Sequence, residues 1–257
     1  MPMNIEQSFI SVLSALGQDT ENHNPNPHTI ISLMDYTYLD DHPTEKTLQQ
    51  FQAQLLKYPV AGVCTYPEYL TQLHTPDGIK RVTVVNFPQG KDSVETVHQQ
   101  VIDALPLIDE IDYVFPASWI EGNHEREQAL LHCQQIYILC QSHHKIFKVI
   151  LETGNIQDPE MIYTISRQVI ERSGCDFLKT STGKTLIGAT PLAFYAMILA
   201  VLDAKKPCGI KVSGGIRQIE QAWLYVQLAL YCFKKPVDKQ WLRIGASSLL
   251  DTLSATS

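Results

Sequence analysis

Asp176-Phe177-Leu178-Lys179-Thr180-Ser181-Thr182-Gly183-Lys184 decides how the rest of the chain is read. A short apolar run from Cys175 to Leu178, broken by one acid, delivers Lys179 to its end, and a Thr/Ser/Gly turn follows at once. A strand that stops in this way leaves its lysine at the mouth of a sheet while the stem stays in apolar surroundings. An ammonium that is desolvated, or set near another cation, gives up its proton more readily, and the neutral amine can attack a carbonyl. The arrangement recurs downstream as Gly209-Ile210-Lys211-Val212-Ser213-Gly214-Gly215. Two lysines on successive strand ends, each followed by a small-residue turn, form the pattern expected of Schiff-base chemistry on a phosphorylated substrate.

Around these two runs lie six others: Ile30–Asp35, Ala61–Tyr66, Val82–Phe87, Ile111–Phe115, Ile146–Glu152 and Leu242–Gly245, with the lysine strands read as Asp176–Thr182 and Cys208–Ser213. Stretches with helical spacing separate most of them: Thr47–Leu56, Ser93–Leu107, Glu125–Ser142, Pro159–Ser173, Pro191–Leu202 and Ile219–Leu230. Eight buried strands alternating with helices predict a closed (β/α)8 TIM barrel, and 257 residues suit one. The expected organisation is a single domain over residues 1–257, opened by a short N-terminal helix across Asn4–Leu16 and a loop across 19–29. Asp92-Ser93, Asp158-Pro159 and Thr190-Pro191 supply capping acceptors or first-turn prolines where helices are expected.

Composition narrows the function. The net charge of −7 argues against nucleic acid as the main partner. Six cysteines without a CxxC pair, no basic leader and no membrane-length apolar run predict a reduced, cytoplasmic protein without a membrane partner. The nine histidines show no metal-ligand spacing, so neither a metal nor a cofactor is expected.

Catalysis in such a barrel sits at the C-terminal ends of the strands. That rule gathers Asp35, Thr37, Cys64, Asn86, Asp112, Lys148, Glu152, Lys179, Thr182, Lys211, Ser247 and Ser248. Lys179 is the candidate nucleophile, against the bland alternative of a solvated lysine past a strand end. Lys211 on the next strand is expected to disfavour the charged form of Lys179, and the reverse. Asp112 lies inside Ile111–Phe115, and a buried carboxylate there needs a partner; proton transfer alongside Lys211 is preferred over a structural ion pair. Asp35 either shares that role or only orients Lys211 or a water, and Thr182 is the other group expected to hold a water. Cys64 is expected to line the pocket but has no adjacent base, which makes it a poor nucleophile. The turns Gly183-Lys184, Gly214-Gly215 and Gly245 to Ser247-Ser248 follow the last three strands, where backbone N–H groups can receive a phosphate.

The chain resembles the 2-deoxyribose-5-phosphate aldolases along nearly its whole length. The matching segments are Leu33–Thr37, Val63–Pro67, Val85–Gly90, Asp109–Pro116, Lys148–Gly154, Phe177–Lys184, Gly209–Arg217 and Arg243–Leu249. The resemblance implies a metal-free class I aldolase that reversibly cleaves 2-deoxy-D-ribose 5-phosphate to D-glyceraldehyde 3-phosphate and acetaldehyde. It implies a Schiff base on Lys179, a pKa-lowering role for Lys211, and Asp112 as acid/base with Lys211 and a water. It also places the phosphate on the three turns. One departure stands out: many members end in a tyrosine that reaches the active site, and no tyrosine follows Tyr231 here. A barrel aldolase with another aldehyde substrate, and a non-catalytic sugar-phosphate-binding barrel, are the competing expectations. A homodimer is compatible with the sequence, in which no apolar stripe marks an interface.

Overall fold

Asn26 ends an irregular segment and caps a helix: its side chain accepts from the Thr29 N–H at 3.1 Å while Pro27 takes the first turn. The computed structural model describes residues 4–18 and 24–255, and in it Pro27–Leu33 is helical. The strand expected at Ile30–Asp35 therefore begins only at Met34. Ile30, Ile31 and Leu33 are buried all the same, which is why the run reads as apolar. Residues 19–23 of the expected loop lie outside the described residues.

The strands are β1 (Met34–Tyr38), β2 (Gly62–Thr65), β3 (Lys80–Val85), β4 (Glu110–Val114), β5 (Ile146–Ile150), β6 (Phe177–Lys179), β7 (Gly209–Ser213) and β8 (Leu242–Ala246). All pair in parallel with their sequence neighbours, and β8 closes on β1 through Met34↔Ile244 and Asp35↔Gly245. This is the expected (β/α)8 barrel. The helices are α1 (Ile5–Leu16), α2 (Pro27–Leu33), α3 (Glu45–Lys57), α4 (Pro67–Leu70), α5 (Val94–Ala104), α6 (Asn123–Ser142), α7 (Pro159–Ser173), α8 (Pro191–Asp203), α9 (Ile219–Phe233) and α10 (Leu249–Ala255). Ser93, Asp158 and Thr190 cap α5, α7 and α8 as expected, each accepting a backbone N–H of the first turn.

The N-terminal helix α1 lies against α7, α8 and α9, outside the barrel. The Ile5 N–H donates to Glu160 at 3.0 Å, and Ser8 and Tyr195 share a hydroxyl hydrogen bond at 2.6 Å. The main apolar core fills the space between the strands' outward faces and the surrounding helices, with Val63, Ile111, Val149, Leu178, Ile210 and Ile244 all buried. One surface feature departs from the expectation of no apolar stripe. Val94, Ile102 and Ile138 stay exposed along a groove between α5 and α6. Among the described residues no helix is long and apolar enough to cross a membrane.

Several strands stop earlier than their apolar runs suggest, β5 and β6 for visible reasons. β6 ends at Lys179, and Thr180 then turns to the neighbouring strand: its hydroxyl donates to the Ser213 carbonyl and accepts the Ser213 N–H, both at 2.9 Å. β5 ends at Ile150, because Glu152 takes a left-handed backbone conformation with φ of 52°.

Candidate active site

Strand register brings the lysines together. Lys179 and Lys211 are Cα partners across β6 and β7, and Lys211 is in turn the partner of Arg243 on β8. On the other side Asp112 of β4 is the partner of Lys148 on β5. With side chains alternating along each strand, all five point into the barrel. Branched apolar residues are the usual filling of this layer; a buried ionic network takes their place here.

Asp112 is its hub. One carboxylate oxygen, Oδ2, accepts from Lys179 Nζ at 2.8 Å and from Lys211 Nζ at 2.7 Å; Oδ1 accepts from Lys148 Nζ at 3.0 Å. Lys211 Nζ also pairs with Asp35 Oδ2 at 2.6 Å. Asp35 is held on its other oxygen by Arg243, whose second amino group donates to Glu110 at 3.0 Å, and Glu110 pairs in turn with Lys148. Burial alone would raise the pKa of Asp112, but Lys148, Lys179 and Lys211 outweigh it and hold the carboxyl well below its ordinary range. Asp35 follows the same rule: burial raises it, and Lys211, Arg243 and Lys148 bring it below the ordinary carboxylate value.

Lys211 overturns one expectation. Burial pulls its pKa down, yet the Asp112 and Asp35 carboxylates together hold it above the ordinary lysine value. Mutual repulsion between neighbouring lysines therefore does not strip the Lys211 ammonium, because a shared carboxylate oxygen sits between them. Lys148 is raised in the same way, burial being outweighed by Asp112, Glu110 and Asp35.

Of this network only Lys179 lines the cavity above it. That cavity measures about 460 Å³ and opens at the C-terminal face of the barrel. Its walls are the three sequence-predicted turns, Gly183-Lys184, Gly214-Gly215 and Gly245 to Ser247-Ser248, joined by Thr182 and by Thr37 to Asp40 at the end of β1 and just beyond it. Two cations lie on the wall, Lys184 and Arg217. Lys184 reaches across the mouth, donating to the Leu39 carbonyl at 2.7 Å beside Asp41. Gly245 is required by packing: a Cβ there would stand 2.8 Å from Ser213 Cβ and 3.0 Å from Lys211 Cε. A second cavity, of about 530 Å³, opens between the loops after β3, β4 and β5, against Phe115, Trp119 and Glu152. Lys179 lines the smaller cavity and not this one.

One predicted site residue sits elsewhere than expected. Cys64 does not line the cavity; it is fully buried, its thiol 3.9 Å from Asp112 Oδ2, and burial pushes the thiol pKa up. Thr182 lines the cavity, but its hydroxyl is engaged within the fold. It donates to Glu152 at 2.5 Å and accepts the Lys184 N–H at 3.1 Å. Glu152 also accepts from the Thr182 N–H and the Thr185 hydroxyl, which ties the loop after β6 to the end of β5. Asp35 is paired with Lys211 and does not line the cavity. Glu110 and Arg243 received no role from the sequence, although Glu110 stands two residues before Asp112 and so faces the same side of β4.

A profile of the DeoC/LacD family aldolases matches residues 29–255. Solved structures share the fold. A deoxyribose phosphate aldolase from Aeropyrum pernix is 24% identical with a TM-score of 0.74, covering 95% of this chain and 96% of that one. A candidate deoxyribose-phosphate aldolase from Coccidioides immitis is 22% identical with a TM-score of 0.76, covering 99% and 98%.

Proposed function

The chain belongs to the DeoC/LacD aldolase family, and on that premise we propose that it is a class I deoxyribose-phosphate aldolase with Lys179 as its Schiff-base residue. One observation carries the reading. Lys179 alone joins a buried, charge-balanced network to a cavity walled by glycine- and serine-rich turns. Asp35, Asp112 and Glu110 are matched by Lys148, Lys211 and Arg243. The Lys179 amine is the seventh group, and its neutral form leaves the buried network without net charge.

In the cleavage direction the amine attacks the aldehyde carbon of open-chain 2-deoxyribose 5-phosphate, and water leaves to give an iminium ion. Removal of the C3 hydroxyl proton breaks the C2–C3 bond, releases glyceraldehyde 3-phosphate and leaves an enamine on Lys179. Protonation at the former C2 and hydrolysis then free acetaldehyde and the amine. Asp112 can accept protons beside the nitrogen, 2.8 Å from Lys179 Nζ, and Lys211, 2.7 Å from the same carboxylate oxygen, can resupply them through Asp112. The 5-phosphate fits the turns beside Lys184 and Arg217, which holds the sugar with its aldehyde toward Lys179.

The proposal is tested by incubating the protein with 2-deoxyribose 5-phosphate and following both products. Equimolar glyceraldehyde 3-phosphate and acetaldehyde are expected, with loss of turnover in Lys179→Met. Binding of the sugar phosphate without cleavage would instead identify a non-catalytic barrel. Cleavage only of another aldol would keep the chemistry and change the substrate.

A further inference from the structure

Beneath Lys179 the ion pairs close on themselves. Lys211 meets Asp35 at 2.6 Å, Asp35 meets Arg243, Arg243 meets Glu110 at 3.0 Å, and Glu110 meets Lys148. Lys148 meets Asp112 at 3.0 Å, and Asp112 returns to Lys211 at 2.7 Å. The ring draws on β1, β4, β5, β7 and β8, and all its members are buried. Glu110 and Arg243 form the side of it that lies away from Lys179 and do not line the cavity.

We propose that Glu110 and Arg243 are positioning residues that set the pH at which Lys179 reacts, acting through Lys148 and Asp35 on Asp112. The proposal rests on the reading of Lys179 as the reacting amine. Its physical basis is that a buried network tolerates net charge poorly. Replacing one ring member by a neutral isostere changes that net charge by one. At an effective dielectric near 20, a unit charge several ångströms away moves a titration by about one pH unit. Loss of the Glu110 carboxylate favours proton release at lower pH, and loss of the Arg243 guanidinium delays it to higher pH. The other charged or titratable groups facing the cluster are Asp35 from β1, Cys64 from β2, Asp112 from β4, Lys148 from β5 and Lys211 from β7. Asp176, just before β6, acts on the Lys148–Glu110 side.

The test is the pH dependence of Lys179 alkylation by acetaldehyde with cyanoborohydride, followed by peptide mass spectrometry. It needs an accessible amine but no turnover of a sugar phosphate. The midpoint should fall by about one unit in Glu110→Gln and rise by about one unit in Arg243→Gln. It should return close to the wild-type value in the double variant. Shifts in the same direction, or slower labelling with no shift in a folded protein, would reduce both residues to packing and overturn the proposal. If Arg243→Gln does not fold, Arg243→Lys takes its place. That variant keeps the charge and should leave the midpoint unchanged, while Glu110→Gln still lowers it; no shift in Glu110→Gln overturns the proposal by itself. A wild-type protein that labels at Lys179 but cleaves no deoxyribose phosphate defeats the substrate reading and leaves these outcomes unaffected.

Discussion

Lys179 and Lys211 are register partners on adjacent parallel strands, and their side-chain nitrogens approach one oxygen of one carboxylate at 2.8 and 2.7 Å. Two lysines so placed are bridged by a carboxylate rather than set directly against each other. The influence of Lys211 on Lys179 then runs through the charge balance of the whole buried group.

Lys211→Leu deletes one cation from a balanced network, and the remaining groups hold their protons more tightly. Turnover near pH 7 should be lost, with partial recovery at high pH as the acid limb of the rate profile moves up by about one to two units. A pH–rate profile of the variant checks this. A dead, flat profile would show instead that Lys211 transfers a proton directly.

The phosphate assignment is tested on the cavity wall. Ser248→Glu places a carboxylate where the dianion is proposed to sit and avoids the strained backbone at Gly215, where φ is 77°. KM for deoxyribose 5-phosphate should rise at least about tenfold, roughly 1.4 kcal/mol of binding, while cleavage of unphosphorylated deoxyribose changes little. Equal losses on both substrates would make the turns purely structural.

Stability should follow pH with the sign set by the carboxylates. Asp35 and Asp112 are held below the ordinary carboxylate range, so their stabilisation is complete above an unfolded-state pKa of about 4 and is lost as the pH falls below it. Lys211 is raised, so its contribution is complete below an unfolded value of about 10.4 and is lost as the pH climbs beyond it. Asp35→Asn leaves Lys211 and Arg243 short of a buried partner and should cost about 3–5 kcal/mol at pH 7. Thermal melts of both proteins should show that gap narrowing below about pH 4.

Cys64→Ala removes a fully buried thiol that does not line the cavity around Lys179. It should lower stability by about 1 kcal/mol and leave kcat within about threefold. Thermal melting and steady-state assays on the same preparation check both; a loss of a hundredfold or more would give the thiol a chemical role.

The strand count, the barrel and the paired lysines were all readable from apolar runs and the small-residue turns after them, because each βα unit repeats the same local physics. Boundaries were harder to read where one apolar run serves two elements. Ile30 to Leu33 is as buried in a helix as it would be in a strand, and only the Asn26-Pro27 cap separates the two. The ring was illegible for another reason. Glu110 and Arg243 are 133 positions apart, and only barrel closure with its register brings them to 3.0 Å. Thr182 shows a third limit, since its partner Glu152 reaches it through a left-handed backbone that nothing in the local sequence demands.

Which amine forms the imine separates Lys179 from its two buried neighbours, Lys211 and Lys148. The protein is mixed with acetaldehyde, reduced with borohydride and digested, and the alkylated peptide is identified by mass spectrometry. An ethyl group on the nitrogen of Lys179, absent in Lys179→Met and formed also when deoxyribose 5-phosphate replaces acetaldehyde, is the predicted result. An ethyl group on Lys211 or Lys148, with Lys179 unmodified, would contradict the account.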